Sequence, residues 1–176
     1  MKQILSLTII LLISFSSANM LFAQKDKSKR KSPPVTVSQN VGDLTITINY
    51  GQPSVNGRVI WGELVPYGQV WRTGANEATT ITVNKDVRIN GQDLAAGSYS
   101  IFTIPSEKDE WTLIFNTVAD QWGAYEYKES SDALRINTKV TKNKNMAEKL
   151  SFTINKTGTV NFTWEHLTFS FNVVQK

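Results

Sequence analysis

Arg72, Asn76 and Glu77 place a guanidinium, an amide and a carboxylate within the run Val70-Trp71-Arg72-Thr73-Gly74-Ala75-Asn76-Glu77-Ala78-Thr79. Arginine offers a planar fork of donors, asparagine a donor and an acceptor, and ionised glutamate acceptors only. With the aromatic faces of Trp61, Tyr67 and Trp71 nearby, such a set suits a polar organic ligand: a sugar, a peptide end or a carboxylate. A structural reading stands beside it, in which Arg72 and Glu77 pair with each other and Asn76 caps a turn. A second patch, Gln121-Trp122-Gly123-Ala124-Tyr125-Glu126-Tyr127, sets an indole beside a glycine between strands, where it lines either a binding mouth or the core.

Other chemistries are excluded by composition. The chain has no Cys and one His, His166. Disulfides, thiolate metal sites, a Cys nucleophile and multi-His metal sites are therefore ruled out. Gly57-Arg58-Val59-Ile60-Trp61-Gly62 has the spacing of phosphate-loop glycines, but Glu63 and Leu64 stand where Lys and Ser/Thr are needed. No Gly-x-Ser-x-Gly elbow is present. His166, between Trp164 and Phe169, reads as a hairpin residue. One catalytic route remains: a carboxylate-dependent hydrolase, acting for example on a glycan, with Glu77 as acid or base and Glu63 or Glu126 as its partner. That route requires carboxyl groups roughly 5–10 Å apart. Neither a metal nor a cofactor is expected, and the missing nucleophile–base pairs favour binding over catalysis.

The elements that must position these groups follow from pattern. Met1-Lys2 precedes the apolar run Ile4 to Ile13, and Ala23-Gln24 offers a cut after a small residue, so residues 1–23 read as a secretory signal peptide. The exported chain is expected in a periplasm or outside the cell, with no transmembrane segment once the signal is removed. Residues 24–34 form a basic leader, expected to be disordered and solvated. Setting aside Lys2, Asp26 and the five basic residues of 25–31 leaves 13 basic against 14 acidic residues over 32–176, a net charge of −1. The positive charge thus belongs to the tail. Weak contact of residues 25–31 with an anionic membrane is conceivable, whereas nucleic acid has no basic face to continue onto.

From Val35 onward apolar residues alternate with Thr, Ser, Asn or charge: Leu44/Ile46/Ile48/Tyr50, Trp111/Leu113/Phe115, Val160/Phe162/Trp164 and Leu167/Phe169/Phe171/Val173 are examples. Period-two alternation predicts half-buried strands, with turns at Asn90-Gly91 and Thr157-Gly158. Leu94 to Tyr99 resembles a tyrosine corner, in which the phenol bonds back to nearby backbone. The only expected helix is short, over Lys142–Lys149. The fold class is all-β: one domain over 35–176, a two-sheet antiparallel β-sandwich of Greek-key or jelly-roll type. It carries one long insert, residues 51–76, with five of the ten glycines. Val59, Ile60, Trp61, Leu64 and Val65 make that insert too apolar to stay in water, so it should pack down in an ordered way.

Several of these segments resemble an exported bacterial family labelled Domain of Unknown Function 2911. They are Pro34 to Gln39, Ile46 to Tyr50, Pro53 to Arg58, Leu64 to Thr79, Leu94 to Ser100 and Trp122 to Tyr125; Pro66-Tyr67-Gly68 with Trp71 to Glu77 is the most specific stretch. The resemblance implies an exported β-rich domain and no particular activity. Together the residues point to an exported domain that binds a small polar ligand or an envelope partner through residues 51–79. Arg72, Asn76 and Glu77 would fix orientation, and Trp61, Tyr67, Trp71 and Trp122 would supply contact.

Overall fold

Alternation of burial organises the chain into nine strands. In the computed structural model, which describes residues 26–176, these are β1 Pro34–Val41, β2 Leu44–Gly51, β3 Thr79–Val83, β4 Val87–Ile89, β5 Gln92–Leu94, β6 Gly97–Ile104, β7 Glu110–Asn116, β8 Asp132–Ile154 and β9 Thr159–Gln175. The signal peptide expected over residues 1–23 lies outside the described residues. Among the described residues helix is confined to two single 3-10 turns, Lys27–Lys29 and Glu129–Ser131.

The strands form one antiparallel sheet in the order β1-β2-β3-β6-β7-β8-β9-β4-β5. The expected two-sheet sandwich is thus met only roughly, because the sheet is continuous and folded over on itself. Tyr50 on β2 lies edge-on to Phe152 on β8 with ring centroids 5.1 Å apart. Those strands are four places apart in the sheet, a separation of roughly 19 Å if it were flat at the usual strand spacing. The bend is made by β8. Its first part pairs with β7 up to Lys139, and its later part pairs with β9 from Val140 to Ile154. One core fills the space between the layers, with Leu44, Ile46, Ile48, Trp111, Phe115, Phe152, Phe162, Trp164 and Phe171 at most 1% exposed.

Two local expectations need correction. Lys142–Lys149 is not a helix; it lies within β8, where the register with β9 shifts on both sides of Ala147. His166 is not in a hairpin either. β9 runs straight through it, and the buried set changes phase from Val160/Phe162/Trp164 to Phe169/Phe171/Val173. An extra residue absorbs such a change of face, and Glu165, at φ 55°, opposite Ala147, marks the place.

The turn chemistry holds as read. Asn90 and Gly91 both take positive φ, 47° and 86°, and join β4 to β5. The Tyr99 hydroxyl donates to the Ala95 carbonyl at 2.9 Å. Among the described residues no helix is long and apolar enough to cross a membrane.

Candidate functional site

The insert is ordered because its backbone groups find partners along its length. Val55 N–H donates to the Glu148 carbonyl (2.8 Å), Leu150 N–H to Pro53 (2.9 Å) and Gly68 N–H to Pro105 (2.8 Å), and Trp71 exchanges two bonds with Thr103 (2.8 and 2.9 Å). Val55, Ile60 and Val65 are buried beneath it. At its end Thr73 and Asn76 adopt positive φ, 53° and 65°. Asparagine tolerates that conformation, but a β-branched threonine is strained in it. Thr73 is held there by full burial, by its hydroxyl against that of Thr103 (3.2 Å) and by a bond from the Thr79 hydroxyl to its carbonyl (2.9 Å).

The residues singled out in sequence separate into three places. Trp71, Arg72 and Asn76 line a cleft of about 300 Å³ together with Arg58, Ser32 and Trp164. Among the described residues no carboxylate lines it. Two donors beside it are buried without hydrogen-bond partners among the described residues: Arg72 Nε and Trp164 Nε1. Asn76 spends its side-chain amide on the Ser32 carbonyl (2.8 Å). Arg58 is tied back to the Val55 and Ser54 carbonyls.

Glu77 does not line this cleft, and it does not pair with Arg72. Its oxygens accept from Arg30 Nη1 at 3.0 and 2.8 Å and stand 3.0 Å from Lys27 Nζ. Burial pushes its pKa upward, but the bonds from Arg30 and Lys27, a backbone bond and the Arg30 charge outweigh it and lower the value from 4.5 to about 2. Residues 26–33, expected as a solvated leader, lie against the domain through this carboxylate at Lys27 and Arg30 and through bonds from Asn76 Nδ2 to the Ser32 carbonyl and from Gln52 N–H to the Pro33 carbonyl (2.9 Å). Trp122 joins the same place. Glu77 and Trp122 form an antiparallel bridge, flanked by Ala78 N–H to Gln121 O (3.0 Å) and Gly123 N–H to Asn76 O (3.1 Å). The Arg30 guanidinium lies 5.7 Å from the Trp122 ring centroid. The two patches noted in sequence thus meet, by main-chain pairing that their residue types did not announce.

Trp61 and Tyr67 line a separate hollow of about 410 Å³ with Glu165 and His166. Trp61 is chiefly structural. Its ring stands 4.9, 5.7 and 5.8 Å from those of Trp111, Trp164 and Trp71, edge to face, and its Nε1 donates to Glu165 at 3.2 Å. Trp71 serves both places, stacking on Trp164 at 5.8 Å while lining the Arg72 cleft. Glu63 and Glu126 are exposed. Sequence reasoning missed Arg30, Lys27, Arg58 and Trp164. Unpaired acid at Glu77 and surplus base at 25–31 were the only signal for the first two.

Fold and site define an all-β domain with a cleft formed between one ordered insert, Ser32 and Trp164 of β9. The chain belongs to the family described as Protein of unknown function (DUF2911), whose model matches residues 32–173. No curated protein and no solved structure matches it.

Proposed function

We propose that this chain is an exported, non-catalytic binding protein whose insert holds a small polar ligand carrying an acceptor-rich anionic group, such as a carboxylate-bearing glycan or peptide. The observation that carries this is a cleft walled by two arginines, Arg58 and Arg72, with an unpartnered donor in each of two residues that line it. Arg72 Nε and Trp164 Nε1 are buried without partners, and native proteins rarely leave such groups unsatisfied. Both are donors, the cleft also contains Arg58, and no acid among the described residues lines it, so the complementary group is an acceptor with negative charge. The Trp71 ring provides the apolar wall. Strain stored at Thr73, between Arg72 and Asn76, fits a loop held for binding. Export rests on the apolar run Ile4 to Ile13 behind Lys2.

Catalysis by Glu77 draws no support. An acid or base works best with a pKa near the working pH, and a carboxylate held at about 2 by two cations neither gives nor takes a proton near neutrality.

A thermal-shift titration with uronic acids, short peptides and neutral sugars tests the proposal. A carboxylate ligand at one hundred times its Kd stabilises by about 2.7 kcal/mol. A uniform lack of response to carboxylates, or an equal response to neutral sugars, rejects it.

A further inference from the structure

We infer that Glu77 and Trp122 form a receptor for a guanidinium group, filled here by Arg30 of the protein's own leader and suited to an arginine of a basic peptide from another chain. This goes beyond the anionic-ligand cleft, since Glu77 lies outside it. The chemistry is specific. A carboxylate meets one guanidinium nitrogen with both oxygens, at 3.0 and 2.8 Å, while an indole lies under the carbon at 5.7 Å. Because a single nitrogen, Nη1, spans both oxygens, the donor fork is not what selects arginine here; the preference over lysine's point charge rests on the flat guanidinium face against the Trp122 ring. Lys27 Nζ, 3.0 Å from the same carboxylate, shows that a second cation is also accommodated.

The receptor is built by the domain and not by its occupant. Glu77 and Trp122 are set side by side by main-chain pairing, with bonds from Ala78 to Gln121 and from Gly123 to Asn76 on either side. Residues 26–31, by contrast, touch the rest of the described chain only through the side chains of Lys27 and Arg30 among the bonds and ion pairs found. Their backbone bonds are local, from Lys29 to Asp26 and from Arg30 to Lys27. The family match begins at residue 32, so the receptor lies within the matched domain and the strap that fills it lies before it. Trp122 remains 55% exposed and Tyr125 81% exposed with the strap in place, leaving room for a longer peptide. Ion pairs this exposed are weak and exchange readily. What favours the strap is tethering, which supplies an effective concentration on the order of millimolar.

The test uses the peptide KDKSKRK, the sequence of residues 25–31, added to the protein and followed by calorimetry and tryptophan fluorescence. A Lys27→Ala/Arg30→Ala protein should bind it at least tenfold more tightly than the unaltered protein, because the tethered competitor is gone. Adding Glu77→Gln or Trp122→Ala to that background should remove binding, and Trp122→Phe should retain part of it. Replacing the peptide's arginine by lysine should weaken binding several-fold. Arg58→Ala, on the cleft wall tied to Val55 and Ser54, should leave peptide binding intact, which separates this receptor from the anionic-ligand cleft. Lack of peptide binding to the Lys27/Arg30 variant at millimolar concentration, or binding that ignores both Glu77→Gln and Trp122→Ala, overturns the inference and leaves the strap as a brace.

Discussion

A Cβ placed on Gly51 would stand 2.1 Å from the Ala75 carbonyl oxygen, so the end of β2 and the end of the insert touch backbone to backbone. The same pair is joined by a bond from Ala75 N–H to the Gly51 carbonyl at 3.2 Å. Glycine is required at this point by close approach. Gly51→Ala should push Ala75 away and carry Asn76 with it, costing about 1–3 kcal/mol as overpacking does. Urea unfolding measures the loss; an unchanged midpoint would mean that the contact is not tight.

Arg72→Ala should abolish carboxylate binding while costing no more than about 1 kcal/mol, the lost packing of a half-buried stem, since no hydrogen bond is broken. Its Nε has no partner to orphan. A large fall in melting temperature would make Arg72 a brace and remove it from the site.

Trp164→Phe keeps an aromatic ring in the indole cluster and deletes the unpartnered N–H. Because an unsatisfied buried donor carries a desolvation penalty, the ligand-free protein should lose little stability beyond the smaller ring. Ligand affinity should fall about tenfold, close to 1.4 kcal/mol. Unaltered affinity would show that the indole nitrogen faces no ligand.

Docking of the leader should respond to acid. The Glu77 pKa falls from 4.5 to about 2 when Arg30 and Lys27 are on it, after burial's opposing effect. A depressed carboxylate stabilises the docked state fully above 4.5 and loses that contribution as pH falls from 4.5 through 2. Trp122 fluorescence should therefore shift within that window, and Glu77→Gln should flatten the response. A transition near neutrality would point to another group.

Tyr99→Phe removes the hydroxyl that bonds Ala95 at the corner between β5 and β6. The expected cost is about 1 kcal/mol, read from chemical denaturation, with no change in ligand affinity because the corner does not line the Arg72 cleft.

Strand positions were legible wherever one face was buried, as in β2, β7 and β9, since alternation is itself a record of burial. The stretch 142–149 failed because Lys142, Asn143, Lys144 and Asn145 have little buried face to record; it pairs across two register shifts. In β9 the sequence shows the phase change after Trp164 and suggests a hairpin there, although one extra residue suffices. The insert's order could be read from Ile60 and Val65, which have to leave water. The separation of Arg72 from Glu77 could not, because Glu77 answers to Arg30, 47 residues earlier, and Arg72 to a cleft shared with Trp164.

Because β8 belongs to both layers of the folded sheet, neither layer can melt alone. Releasing its β7-paired half would free the root of the half paired with β9, so the two layers should open together as one cooperative unit. Native-state hydrogen exchange should accordingly give the strand amides on both sides of Val140 a common protection factor, set by global unfolding.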